Sequence, residues 1–223
     1  MTNKYRLRIR LLSDATFGRG DGVAGAVDAE VQHDAYGLPY LGGRSLKGLL
    51  GAECADIVHA LSRDSRSQKD WQQVANRLFG DIGSGLTGAA NLRVGPAELP
   101  ADLKAAIAKD IEQKKITRAA VLESLTALRR QTAMDAESGA PKENTLRTMR
   151  VILRGTVFES VLHFAEPPTP DELVLLAACV KAFRRGGTGR NRGRGRLTAE
   201  LYDINGKAVT DTLFSDFQKA VGA

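Results

Sequence analysis

Sulfur, imidazole and aromatic rings are all scarce in this sequence, and each scarcity excludes a class of protein. Two cysteines, Cys54 and Cys179, and three histidines occur in 223 residues. No cysteine and histidine stand at the spacing of a metal site, and two thiols do not make the disulfide framework of a small secreted domain. Both cysteines sit among apolar residues in helical patterns, which predicts buried free thiols and a reducing, cytoplasmic setting. Aromatic residues make up 5% of the chain. No aromatic pair of the RNP type is present, so base stacking on an exposed sheet is not expected. No apolar run approaches the ~18 residues of a membrane span, and the N-terminus lacks the apolar core of a secretory signal. No Gly-Lys-Ser/Thr follows the glycine-rich segments, which removes a Walker loop. Nothing arranges Ser-His-Asp or Cys-His chemistry.

Basic charge and glycine are what the sequence has in excess. Lysine and arginine number 32 against 26 acidic residues, a net charge of +6, and the pI is near 9.5. Glycine stands at 23 residues, roughly a tenth of the chain where ~7% is usual. Clustered arginines point to a nucleic-acid partner. Glycine marks backbone that turns sharply or approaches a ligand closely.

Lys4–Leu12 alternates with period two. Tyr5, Leu7, Ile9 and Leu11 fall on one side and Lys4, Arg6, Arg8 and Arg10 on the other, a strand with an apolar and a basic face. A Gly- and Asp-rich loop over Ser13–Gly25 leads to an extended stretch, Ala26–His33, and a turn at Asp34–Gly37. A helix opens at Gly42-Gly-Arg-Ser45 with Ser45 as its N-cap, a second helix is expected over Ser67–Phe79, and a short strand over Ala89–Val94. Helical patterns over Ala101–Gln113 and Thr117–Arg130 read as an insertion on the outside of the core. Gln131–Asn144 has no apolar period and reads as a projecting loop or hairpin before a strand near Met149–Leu153. Thr156–Phe164 is a strand, and Thr169-Pro-Asp-Glu172 brings a cap, an N1 proline and an N3 glutamate to the next helix. Leu197–Asp203 returns as a strand, Asn205-Gly206 turns the chain, and a C-terminal helix carries Leu213, Phe214 and Phe217. This order predicts an α+β fold, a helix-backed antiparallel sheet of the ferredoxin-like (RRM-like) type with insertions, in a single domain over 1–223.

Three segments carry chemistry. Gly186-Gly-Thr-Gly-Arg-Asn-Arg-Gly-Arg-Gly-Arg196 interleaves turns with forked cations. Gly187 and Gly189 free backbone amides to face a phosphate, and Arg190, Arg192 and Arg194 supply donors that do not titrate away. Gly42, Gly43, Arg44, Ser45 and Lys47 surround a helix start, where the dipole favours an anion. Together with Arg6, Arg8 and Arg10 these form the expected RNA-binding set, gripping phosphate and sugar with little sequence readout. Asp14, Asp21, Asp28 and Asp34 crowd the loop-rich stretch before the second segment. Carboxylates beside a phosphate-binding surface oppose the ligand unless they hold a metal or move a proton. His33 stands near Asp28 as a possible acid–base partner.

Taken in order, the sequence resembles the RAMP superfamily, the repeat-associated proteins of type III CRISPR antiviral defence. The likeness rests on Gly25-Ala-Val-Asp28, Leu38-Pro-Tyr-Leu-Gly-Gly-Arg-Ser-Leu-Lys-Gly48, and Leu78-Phe-Gly80 with Leu92-Arg-Val94. Leu146-Arg147 with Gly155-Thr-Val-Phe158 and the Gly186–Arg196 loop complete it. The resemblance implies a ferredoxin-like palm, a helical insertion over 100–131 and a thumb-like hairpin over about 131–148. It implies CRISPR RNA, target RNA, other RAMP subunits and a large subunit as partners. It makes Asp28 the expected catalytic residue of a target-RNA endoribonuclease, also holding a divalent metal, Mg2+, with Asp14, Asp21 and Asp34 as competitors. Gly42-Gly-Arg-Ser45 departs from the family's frequent Pro-Gly-Ser-Ser and adds a charge. Two other roles stay open: a non-catalytic subunit that only grips RNA, and a metal-independent CRISPR RNA processing nuclease using His33.

Overall fold

In the computed structural model, residues 3–18, 20, 27–63, 69–80, 89–135, 137–140 and 145–222 are described. The alternating first strand is β1 (Lys4–Leu11), with Leu7, Ile9 and Leu11 buried and Lys4, Arg6, Arg8 and Arg10 exposed. After α1 (Gly43–Ser62) and α2 (Trp71–Phe79) comes β2 (Leu92–Val94). Then follow α3 (Ala101–Glu112), α4 (Arg118–Leu125), β3 (Thr126–Gln131) and β4 (Arg147–Ile152). The chain closes with β5 (Val157–Phe164), α5 (Pro170–Ala182), β6 (Leu197–Tyr202) and α6 (Thr210–Ala220).

The main sheet has the order β2-β5-β1-β6 and every neighbour is antiparallel. Without the insertion, β1-α1-β2 and β5-α5-β6 form two split βαβ halves, which is the ferredoxin-like arrangement expected from the sequence. Leu7, Ile9, Phe158 and Leu162 of the sheet meet Leu46 and Leu50 of α1 and Leu176 and Val180 of α5 in one core. Helix α5 is buried nearly all round because α1 and α6 cover its outer side. Its start is the capping box read from the sequence: Glu172 N–H donates to Thr169 Oγ1 at 3.2 Å and Thr169 N–H to Glu172 Oε2 at 2.8 Å. The Glu172 carboxylate also takes Asn91 Nδ2 and pairs with Arg77, so a fully buried charge is satisfied from three sides. Cys54 and Cys179 are buried free thiols in the helix packing, and burial pushes the Cys179 thiol well up.

Three local expectations need correcting. Helix α1 is capped by Gly42, not Ser45, and no side chain caps its first turn. The start is set by packing, since a Cβ on Gly43 would lie 2.3 Å from the Val94 carbonyl oxygen. The helix expected over Thr117–Arg130 stops at Leu125, where Thr126 Oγ1 donates to the Leu122 carbonyl at 2.6 Å, and becomes β3. Cross-strand pairing with β4, Thr126↔Ile152 through Gln131↔Arg147, overrides the local helical pattern. The inserted helices are also part of the core. Val121 is buried and Ile107, Ile111, Ile116, Leu122 and Leu125 pack against the main cluster. The start of α2 expected at Ser67 lies outside the described residues; the helix begins after Asp70, whose carboxylate caps Gln73.

Candidate nucleic-acid interface

The glycine–arginine segment is a fixed loop, stitched at its base. Arg185 bridges Arg196, Gly186 N–H donates to Gly195 O at 2.9 Å, and Leu197 N–H donates to Arg184 O at 3.0 Å. Thr188 N–H donates to Thr16 O at 2.9 Å and Gly195 N–H to Asp14 O at 2.8 Å. Gly187, Gly189, Gly193 and Gly195 all have positive φ. At Gly187 and Gly195 the space is closed as well, because a Cβ would come within 2.5 Å of Thr16 O and 1.9 Å of Gly186 O. The tip is a single turn of 3-10 helix at Arg190–Arg192 with both arginines exposed, while Arg194 folds inward against Met149 of β4.

The start of α1 approaches this loop. Ser45, Gly48 and Leu49 face Gly187 and Thr188 across a cleft of about 290 Å3 that Phe17, Gly18, Gln32 and Leu41 complete. Gln32 Oε1 accepts from Gly42 N–H at 3.1 Å, tying the helix entry to the extended stretch below. Arg44 and Ser45 are exposed in the uncapped first turn, so backbone donors and a cation face outward together. Lys47 is half-buried, and desolvation lowers its pKa. On α1, the carboxyl of Glu53 is pushed up by desolvation and by Asp56 and drawn down by Arg190 and Arg184.

Asp28 is placed by β4. Its N–H donates to Thr148 O at 2.8 Å and its Oδ2 accepts from Thr148 N–H at 2.6 Å. Ala29 bridges Met149 in parallel, and Arg150 N–H donates to Ala29 O at 2.9 Å. The buried Glu30 pairs with Arg150 at 2.9 Å, which locks the segment. Sequence reasoning missed this pair, since nothing local to Glu30 announces a partner on a distant strand. The stretch expected to be extended over Ala26–His33 makes only single bridges, Val31 to Gly18 and His33 to Pro39 among them. Ala26 itself lies outside the described residues.

The competing aspartates have other occupations. Asp14 Oδ2 takes two hydrogen bonds from Arg129, at 3.1 and 2.8 Å, and Oδ1 takes Arg154 N–H. Asp34 Oδ1 closes a turn on Tyr36 N–H and Leu38 N–H, and Oδ2 meets Lys104 at 3.4 Å. Asp21, with Gly25 of the Gly-Ala-Val-Asp segment, lies outside the described residues. His33 Nδ1 hydrogen-bonds the Asp34 carbonyl at 3.1 Å.

A comparison with curated sequences gave no significant match. The family model of the RAMP superfamily matches residues 8–198. The chain belongs to the RAMP superfamily. Two solved structures contain chains that share this fold. A chain of the type III-B Cmr-beta complex bound to cognate target RNA aligns at TM-score 0.64 and 12% identity, over 96% of this chain and 99% of that one. A chain of apo type III-B Cmr-beta aligns at 0.62 and 14%, over 90% and 98%.

The matched region includes Arg8 and Arg10 of the basic strand, Asp28, the α1 entry and the glycine loop. The RAMP chain's basic strand face is partly neutralised: Arg6 pairs with Glu159 at 3.6 Å, and Arg8 stands in register with Glu159 and Glu200. Leu128 of β3 and Met134 and Leu146 between β3 and β4 are exposed, and Asp135 accepts from Glu137 N–H and Ser138 N–H. Residues 136 and 141–144 of the expected hairpin lie outside the described residues. Among the described residues no group of three or more His, Cys, Asp or Glu stands ready to hold a metal. Asp28 alone fits a Mg2+ ion only in the manner of sites that share the ion with substrate phosphate. No described helix is long and apolar enough to cross a membrane.

Proposed function

We propose that this chain is a backbone RAMP subunit of a type III CRISPR effector complex in the cytoplasm, gripping CRISPR RNA and cutting the paired target RNA at Asp28. One observation supports the grip above others: two glycine–basic turns far apart in sequence share one cleft, Ser45 and Gly48 on one wall and Gly187 and Thr188 on the other. Exposed Arg44 precedes Ser45 in the chain, and exposed Arg190 and Arg192 follow Thr188, donors suited to a phosphate chain. Other RAMP subunits and the large subunit are the protein partners in this reading. It is supported by the fold shared with chains of Cmr-beta complexes, one of them bound to target RNA.

The proposed cut is transesterification. The target's ribose 2′-oxygen attacks the adjacent phosphorus, its proton passes to the Asp28 carboxylate, and the 5′-oxygen of the next nucleotide leaves and takes a proton from water, giving a 2′,3′-cyclic phosphate and a 5′-hydroxyl. The β4 tether fixes where that carboxylate stands, and an RNA backbone held in line supplies the rest of the alignment. A Mg2+ ion shared by Asp28 and the phosphate would neutralise the developing charge.

Changing Arg190, Arg192 and Arg194 together to Ala is expected to weaken RNA binding. The slope of log affinity against log salt should fall by about 1.4, at ~0.7 per phosphate contact on a single strand, for the two exposed arginines at the tip. Fluorescence anisotropy of labelled RNA in a salt series measures it. A slope equal to that of the unaltered chain removes the glycine loop from the interface.

A further inference from the structure

A second groove opens at the other end of the glycine loop, along β6, the outer strand of the main sheet. It encloses about 1010 Å3, and six cations line it: Arg8 and Arg10 of β1, Lys181 at the end of α5, and Arg184, Arg185 and Arg196 of the loop's two stems. The two carboxylates in its walls are engaged. Asp211 pairs with Lys181 at 2.6 Å, and Glu200 accepts from the Tyr202 hydroxyl at 2.5 Å, which holds that phenol above its usual pKa. Glu53 acts on Arg184 only through space, without an ion pair among the described residues. Arg10, Arg184, Arg185 and Arg196 are exposed and also lack an ion-pair partner among the described residues.

An outer strand invites a neighbouring strand, but this one is closed to it. Odd-numbered residues of β6 turn their backbone away from β1. Leu197 N–H donates to Arg184 O at 3.0 Å and Leu201 N–H to Thr210 Oγ1 at 2.6 Å; just beyond the strand, Asp203 N–H donates to Lys207 O at 3.0 Å. Only Ala199 keeps an outward N–H with no partner among the described residues, and Ala199 lines the groove. One open donor among forked cations suits a phosphate chain, and it does not suit a β-ladder.

We propose that this groove is a second site for single-stranded RNA backbone, with Arg10, Arg184, Arg185 and Arg196 and the Ala199 amide as its phosphate donors. It rests on the RNA-binding reading above and extends it, since Gly193 and Arg196 make the groove continuous with the loop. The strand it takes is distinct from, or a continuation of, the strand held between α1 and the loop.

The test is a salt series with a labelled uridine oligomer about 15 nucleotides long, the scale of a single-stranded site. It compares the unaltered chain, Arg184→Gln/Arg185→Gln/Arg196→Gln, the Arg190, Arg192 and Arg194 variant, and all six changes combined. Thermal unfolding confirms that each is folded. The groove variant is expected to lower the salt slope by about 2 on its own, and the two sets are expected to add. A full slope in the groove variant beside a reduced one in the loop variant overturns the groove and leaves the loop standing. Full slopes in both overturn both. Unchanged RNA binding with lost assembly onto partner subunits makes the groove a protein interface and overturns the proposal.

Discussion

Asp28→Asn, carried in the assembled complex with Mg2+, is expected to slow target-RNA cutting by about a hundredfold or more while guide RNA stays bound. Asparagine is the informative change because its Oδ1 still accepts from Thr148 N–H, so the bond that measures 2.6 Å is preserved. Charge and proton-accepting power go; the tether to β4 remains. Asp14 and Asp34 have both carboxylate oxygens occupied by arginine, lysine or backbone donors, so Asp14→Asn and Asp34→Asn should cost stability before chemistry. Cleavage at an unchanged rate in Asp28→Asn would leave a subunit that grips RNA without cutting it. Metal-free cutting of precursor RNA by the isolated chain, lost in His33→Ala, would point instead to a processing nuclease.

Gly195→Ala is expected to be among the most damaging single changes on the RNA face. Its φ is +67, and an added Cβ would lie 1.9 Å from Gly186 O, the residue whose N–H it binds through its own carbonyl at 2.9 Å. Neither backbone can yield without breaking the Arg185–Arg196 bridge, so about 4 kcal/mol of stability should be lost, and RNA affinity with it. Gly193→Ala is the matched control: φ is +79, but nothing lies within 4 Å. That change should cost only the left-handed strain of about 1 kcal/mol. Urea unfolding of the two variants separates them. Equal stability would mean that the loop stem is not held by close packing.

Most of the palm was legible because its signals are local. Period two in β1, the Thr169-Pro-Asp-Glu172 start and the Asn205-Gly206 turn each announce themselves within a few residues, and the observed elements follow them. The glycine loop was legible as a fixed loop because a helix and a strand flank it closely, but its tethers were not, because they come from Asp14 and Thr16 on a different segment. Likewise β3 reads as helix from its own residues and becomes a strand through β4. Glu30 with Arg150 positions Asp28 from a distance no spacing rule spans. The β6 groove was invisible for the same reason, since its cations come from β1, α5 and the loop, and only the fold collects them.

The central claim is that RNA backbone lies between the start of α1 and the glycine loop. Photo-crosslinking of a 4-thiouridine guide RNA in the assembled complex, read by peptide mass spectrometry, tests it most directly. The account predicts crosslinked peptides containing Arg44 to Lys47 and Gly187 to Arg194. Crosslinks confined to α2 and α3, with none in either glycine turn, would contradict it.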